Sequence, residues 1–192
     1  MAADFGPFWT YPGIAGTPTV DALVSGIRAA GKSAETGFGG AELFQDFIAS
    51  ELLSALQKNF RIDISRSGLA GHSGGGAFTA FAMLDGKLPF SRYIIGSPAL
   101  FYNQAGMKRK LAEFERSLDR REVQAFAAFG AAELTDPFIG DSMSYGQANM
   151  QRIARLQHQN FSMRMVTFDG EWHASVFAHL FSTGLHHLWA VE

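Results

Sequence analysis

Apolar and polar positions follow two rhythms along this chain. Between Ala41 and Phe60, the residues Phe44, Phe47, Ile48, Leu52, Ala55 and Leu56 recur at intervals of three and four, the spacing of one helix face, and Gly39-Gly40 mark its start. Short runs of another kind follow at Ser67–Gly71, Tyr93–Gly96, Val123–Phe129 and Phe161–Phe168, which predict buried strands; the second is closed by Ser97-Pro98. Helical spacing returns between them at Gly74–Leu84, at Met107–Arg121 with Leu111, Phe114 and Leu118 as its buried stripe, at Tyr145–Gln159, and from Ala174 to Trp189. Strands alternating with helices of these lengths require parallel pairing through right-handed crossovers, with helices on both faces of the sheet. The expected class is α/β.

Residues 1–38 keep neither rhythm: Phe5, Phe8, Trp9 and Tyr11 stand among Gly, Pro and Thr. This stretch reads as irregular surface-hugging chain whose rings either cover the core or wall an apolar pocket. The 192 residues show no internal repeat and are read as one domain.

Composition narrows the functional classes. A chain that is 47% hydrophobic and 18% charged can bury a sizeable core. The net charge of -2 supplies no positive field for phosphate backbones, so nucleic acid is not an expected partner. The apolar runs are short and interrupted, far from the ~20 residues of a membrane span, and no secretory leader opens the sequence; a soluble protein is expected, cytoplasmic or periplasmic. Without cysteine there is no disulfide, thiolate metal site or cysteine nucleophile. Lys108, Arg109, Lys110, Arg120 and Arg121 flank a helix that also carries Glu113, Glu115 and Asp119, which reads as a solvated amphipathic face rather than an anion grip.

Candidate chemistry sits at Gly71-His72-Ser73-Gly74-Gly75-Gly76, a G-x-S-x-G motif between a predicted strand and a predicted helix. A turn tight enough to lift Ser73 above the sheet is expected to tolerate no Cβ at Gly71 or Gly75, and the Gly74 N–H would face a developing oxyanion at the helix N-terminus. A serine hydroxyl is hardly ionised near neutral pH and needs a base. His173 follows the last predicted strand directly and can return over the sheet to Ser73. His72 adjoins the serine but points elsewhere on the turn, while His158, His179, His186 and His187 fall on predicted helices as surface or packing residues. No histidine pair has zinc-type spacing with a nearby third ligand. The third member should be a carboxylate past the preceding strand: Glu133 and Asp136 both qualify, Glu133 being nearer the strand end, with Asp141 and Asp169 as distant alternatives.

These stretches together resemble the esterase-D-like esterases, the α/β-hydrolase family that includes enterobactin-type siderophore esterases. The resemblance runs from Gly39 to Trp189 and is carried by the Phe-rich first helix, Arg66–Gly76, Phe90–Leu100 with its Gly96-Ser97-Pro98, Gly130–Glu133, and Gly170–Val176 with Glu171-Trp172-His173. It implies an α/β-hydrolase-like, mostly parallel sheet and a serine carboxylic-ester hydrolase, with Ser73 as nucleophile, His173 as base, Glu133 as acid and Gly74 as oxyanion donor. His72, Tyr102, Asn103 and Trp172 are expected to line the pocket of a small-molecule ester, with no cofactor or metal. An acyltransferase of the same fold, or a catalytically silent binding relative, are the alternatives. Such hydrolases normally carry further strands and a loop supplying a second oxyanion N–H before the first matching helix; relative to them this chain is expected to be N-terminally truncated. The nucleophile strand would then be an exposed sheet edge through which copies could associate.

Overall fold

The computed structural model describes residues 40–98 and 104–190. Four strands, β1 (Gly68–His72), β2 (Arg92–Gly96), β3 (Val123–Gly130) and β4 (Phe161–Phe168), form one sheet in the order β1-β2-β3-β4. Every pairing is parallel, with His72 opposite Gly96, Gly96 opposite Ala128, and Gly130 opposite Phe168. The carboxyl ends of all four strands therefore meet at one end of the sheet, where α/β folds place their ligands.

The crossovers are helical, as parallel pairing demands. A first helix runs as α1 (Ala41–Phe47), a π-helical turn (Ile48–Leu52) and α2 (Leu53–Asn59); then come α3 (Gly74–Asp85), α4 (Gln104–Ser117), α5 (Gly140–Ala154) and α6 (Val176–Trp189). Side chains alternate across the strands. Tyr93, Ile95, Ala125, Ala127 and Phe129 face Met83 and Leu84 of α3, Phe114 of α4 and Met150 and Ile153 of α5. Ile94, Phe126 and Ala128 face Val176, Leu180 and Leu188 of α6. The sheet is thus covered on both faces, and its central strands read as near-continuous apolar runs for that reason. Among the described residues the outer edge of β1 pairs with no strand.

Three elements depart from the sequence expectation, one being the helix expected over Met107–Arg121, which begins three residues and ends four residues earlier, at Gln104–Ser117. The first helix turns Ile48 and Leu53 inward, while Phe44, Phe47 and Leu52 stay substantially exposed. The π turn at Ile48–Leu52 inserts an extra residue and rotates the apolar stripe out of the phase that the regular spacing implied. The expected helix over 145–159 lies five residues earlier, at Gly140–Ala154. Asp136 explains the early start: its Oδ1 accepts the N–H groups of Phe138 at 2.8 Å and Ile139 at 3.0 Å, seeding the first turn. His158 accordingly lies in the turn before β4, where its Nδ1 accepts the Asn160 N–H, and not on a helix. Phe5, Phe8, Trp9, Tyr11, Tyr102 and Asn103 lie outside the described residues.

Among the described residues no helix is long and apolar enough to cross a membrane.

Candidate active site

Ser73 stands in the sharp turn between β1 and α3, at φ 56° and ψ -119°. An L-residue reaches that left-handed region only under strain, so the surroundings must enforce it. They do so from both sides: the Ser73 N–H donates to the Gly96 carbonyl at 2.9 Å, and the Ser73 carbonyl accepts the Ala77 N–H at 2.9 Å. A Cβ on Gly71 would lie 2.1 Å from the Gly75 carbonyl oxygen, and one on Gly76 would lie 2.3 Å from the Gly96 carbonyl oxygen. The expectation at Gly75 needs correction, because no described atom lies within 4 Å of a Cβ built there. Strand and helix meet at Gly71, and helix and neighbouring strand meet at Gly76, whereas Gly75 contributes its carbonyl and not its missing side chain. Gly74 opens α3, so its N–H belongs to the first-turn amides that have no intrahelical acceptor.

His173 lies in the loop between β4 and α6. That loop is fastened to the turn after β3 by main-chain bonds from Ala131 N–H to the Phe168 carbonyl and from Ala132 N–H to the Glu171 carbonyl, both 2.9 Å. Gly130 permits the approach: a Cβ there would meet the Glu171 carbonyl oxygen at 2.3 Å. Ser175 adds a second fastening, its hydroxyl bonding the Glu171 carboxylate while accepting the Trp172 N–H. Glu171 also pairs with His179 of α6 at 3.1 Å.

These constraints bring three of the predicted residues into line. His173 Nε2 is 2.9 Å from Ser73 Oγ, and His173 Nδ1 is 2.6 Å from Glu133 Oε2. Glu133 is fully buried in the 3-10 turn Ala132–Thr135. A carboxylate that is ionised can only accept, so beside it the imidazole would carry its proton on Nδ1 and turn the lone pair of Nε2 to the serine hydroxyl. Two further donors converge on the other oxygen: the Ser97 hydroxyl at 2.6 Å and the Gly130 N–H at 2.7 Å. Three donors offset the desolvation of a carboxylate held away from water. Asp136 does not join the group; it is spent on the turn into α5, and the two N–H groups it accepts hold its carboxyl below the usual range.

Ser97 was missed in the sequence, where Gly96-Ser97-Pro98 reads only as the end of a strand. The single available signal was its place one residue past a central strand, level with Ser73. His72 departs only from the reading that it points elsewhere on the turn. Its ring packs on His173 at 4.7 Å between centroids and against Phe177 at 5.8 Å, so it faces the site. Room for it comes from Gly96, where a Cβ would crowd both His72 and Leu180. Burial pushes the His72 imidazole below its ordinary pKa, and charge on His173 pushes the same way. Trp172 is more than half exposed beside His173. Among the described residues no group of three or more His, Asp or Glu side chains is arranged to hold a metal ion.

The family described as "Putative esterase" matches residues 22–188 of this chain. The chain is 29% identical over 147 residues to the Ferri-bacillibactin esterase BesA of Bacillus subtilis, covering 77% of this chain and 51% of that protein. It is 25% identical over 172 residues to the Siderophore triacetylfusarinine C esterase of Aspergillus fumigatus, covering 79% of this chain and 59% of that protein. The crystal structure of the BES protein from Bacillus cereus superposes with a TM-score of 0.70 at 28% identity, over 83% of this chain and 58% of that one. The chain therefore spans about half the length of the curated relatives it matches.

Proposed function

The chain belongs to this esterase family, and from that premise we propose that it hydrolyses carboxylic esters through an acyl-enzyme on Ser73. The observation that carries the proposal is the unbroken line from Ser73 Oγ through His173 to buried Glu133, at 2.9 and 2.6 Å. Ser73 Oγ attacks the ester carbonyl carbon while its proton passes to His173 Nε2, and the new oxyanion turns toward the Gly74 N–H. Collapse of that tetrahedral species breaks the bond to the alcohol oxygen, which takes the proton from His173 and leaves. Water then attacks the acyl carbon, gives a proton to His173 Nε2, and the second collapse releases the carboxylic acid and returns that proton to Ser73. Glu133 holds the imidazole in the required tautomer and faces the positive charge that forms on it in each half-reaction.

His72 and Trp172 border the reacting groups and would form the near walls of the substrate pocket. The names of the two curated relatives make an ester-linked siderophore the first substrate to try. The test is labelling by a fluorophosphonate probe beside Ser73→Ala and His173→Ala. Labelling that disappears in both variants supports an activated serine; a folded protein that takes up no probe refutes it.

A further inference from the structure

We propose that Ser97 is a positioning residue, its buried hydroxyl holding one oxygen of Glu133 so that the other is aimed at His173; this rests on the reading of Ser73, His173 and Glu133 as a catalytic group. Ser97 is completely buried, and its hydroxyl donates to Glu133 Oε1 at 2.6 Å, the length of a bond to an ionised acceptor. The two oxygens of Glu133 are divided by task. Oε1 takes Ser97 and the Gly130 N–H, whereas Oε2 takes His173. With Oε1 doubly held, rotation of the carboxylate about its terminal bond is blocked, and Oε2 keeps its line to Nδ1.

The backbone is shaped for this reach. Ser97 has φ 37°, and among the described residues only Ser73 shares a positive φ without being glycine. The Ser97 N–H is still tied to the Ala128 carbonyl at 2.8 Å, so the chain leaves the sheet only after this bond. The unusual φ then turns the side chain toward the end of β3, where the acid stands. Packing alone does not call for a hydroxyl at such a position: glycine would sit there without strain, and alanine would fill the volume without a polar group to satisfy.

Two variants separate the hydroxyl from the backbone. Ser97→Ala removes the donor and keeps the strain; Ser97→Gly removes the donor and relaxes the strain. Both are expected to lower kcat about 10–100-fold, the rate equivalent of one hydrogen bond to a charged group, with KM within about twofold. Ser97→Gly should melt no lower than Ser97→Ala. The second readout is the downfield proton resonance of His173 Nδ1–H in the resting protein, assigned by its loss in His173→Ala; it should move upfield and broaden in both variants. An unmoved resonance overturns the proposal whatever happens to kcat, and so does an unmoved kcat in an active enzyme. Should the unmodified protein turn over no ester, the hydrolase reading falls by itself, while the resonance still decides whether Ser97 positions the pair.

Discussion

Replacing Gly71 and Gly75 by alanine, one at a time, tests how the turn around Ser73 is built. A methyl on Gly71 would stand 2.1 Å from the Gly75 carbonyl oxygen, 2.4 Å from its carbon and 2.6 Å from Thr79 Oγ1. None of these atoms can swing aside independently, since the first two are helix backbone and the third is bonded to the Gly75 carbonyl at 2.9 Å. The first turn of α3 must back away from β1 by about 1 Å to restore van der Waals contact. Overpacking of that kind costs about 2–3 kcal/mol, which for a chain of this size lowers Tm by about 5–10 °C. Because Ser73 and Gly74 ride on the same turn, a displacement of about 1 Å should also cost on the order of 10²-fold in labelling rate. A methyl on Gly75 meets no described atom within 4 Å and replaces a poor helix former by the best one, a gain of about 0.5 kcal/mol and a Tm rise of about 1–2 °C. Thermal melts and fluorophosphonate labelling of both variants give the comparison. If Gly75→Ala proves as harmful as Gly71→Ala, the close approach lies elsewhere and the account of the turn is wrong.

Glu133→Gln is expected to lower kcat about 10²–10⁴-fold with the fold intact, because an amide can donate to Nδ1 and favour the wrong imidazole tautomer; steady-state ester hydrolysis measures it. Asp136→Ala should lower Tm by loosening the turn into α5 while leaving kcat unchanged, so a kcat as low as that of Glu133→Gln would reassign the acid. Lys110→Met breaks the 2.6 Å pair with Asp85, both side chains being nearly buried, and should destabilise by about 2–3 kcal/mol near neutral pH in urea unfolding. Burial works to raise the Asp85 pKa, but the hydrogen bonds from Lys110 and Gln45 outweigh it, so Asp85 lies below its ordinary value. A depressed carboxyl contributes stability above its unfolded pKa of 3.8 and loses it as pH falls through the folded value. The gap between Lys110→Met and the unmodified protein should therefore narrow below about pH 4; a gap of constant size would show that the ion pair is not its source.

The parallel sheet and the order of its elements were legible because they rest on period and length. Tyr93–Gly96 and, apart from Gln124, Val123–Phe129 are apolar runs, which a strand covered on both faces permits, and the pairing follows from the crossover lengths. The turn at Ser73 was legible because strand, glycine-flanked serine and helix follow one another in the chain. Contacts that bring distant residues together left weaker traces. Between Glu133 and Asp136 the sequence offers only nearness to the strand end; the structure separates them because the Asp136 carboxylate accepts the N–H groups of Phe138 and Ile139 two and three residues on. The π turn in the first helix is equally silent, since Ile48 and Leu52 keep a helical spacing while the inserted residue moves the inward position from Leu52 to Leu53. Ser97 was invisible because its hydrogen-bond partner lies 36 positions away.

Ser73 and Ser97 occupy equivalent places on adjacent strands, and this suggests why the site is built at this end of the sheet. The register sets His72 opposite Gly96 and Gly96 opposite Ala128. Each serine then makes one last ladder bond, Ser73 N–H to the Gly96 carbonyl and Ser97 N–H to the Ala128 carbonyl, before its φ turns positive and the chain leaves the sheet. A residue held that way costs about 1–3 kcal/mol and persists only where the surroundings over-determine it. Here the ladder fixes the N–H side of both residues, so the strain is expressed in where the two hydroxyls go: Ser73 Oγ to His173 Nε2, and Ser97 Oγ to Glu133 Oε1. One hydroxyl meets the imidazole at Nε2, where the proposed proton transfer runs, and the other holds the carboxylate that meets the imidazole at Nδ1. A parallel sheet supplies this arrangement readily, because strands running in the same direction bring successive carboxyl ends side by side. Relaxing Ser97 with glycine should thus stabilise the backbone locally and slow the chemistry, the opposing pair of effects expected when strain serves a site rather than the fold.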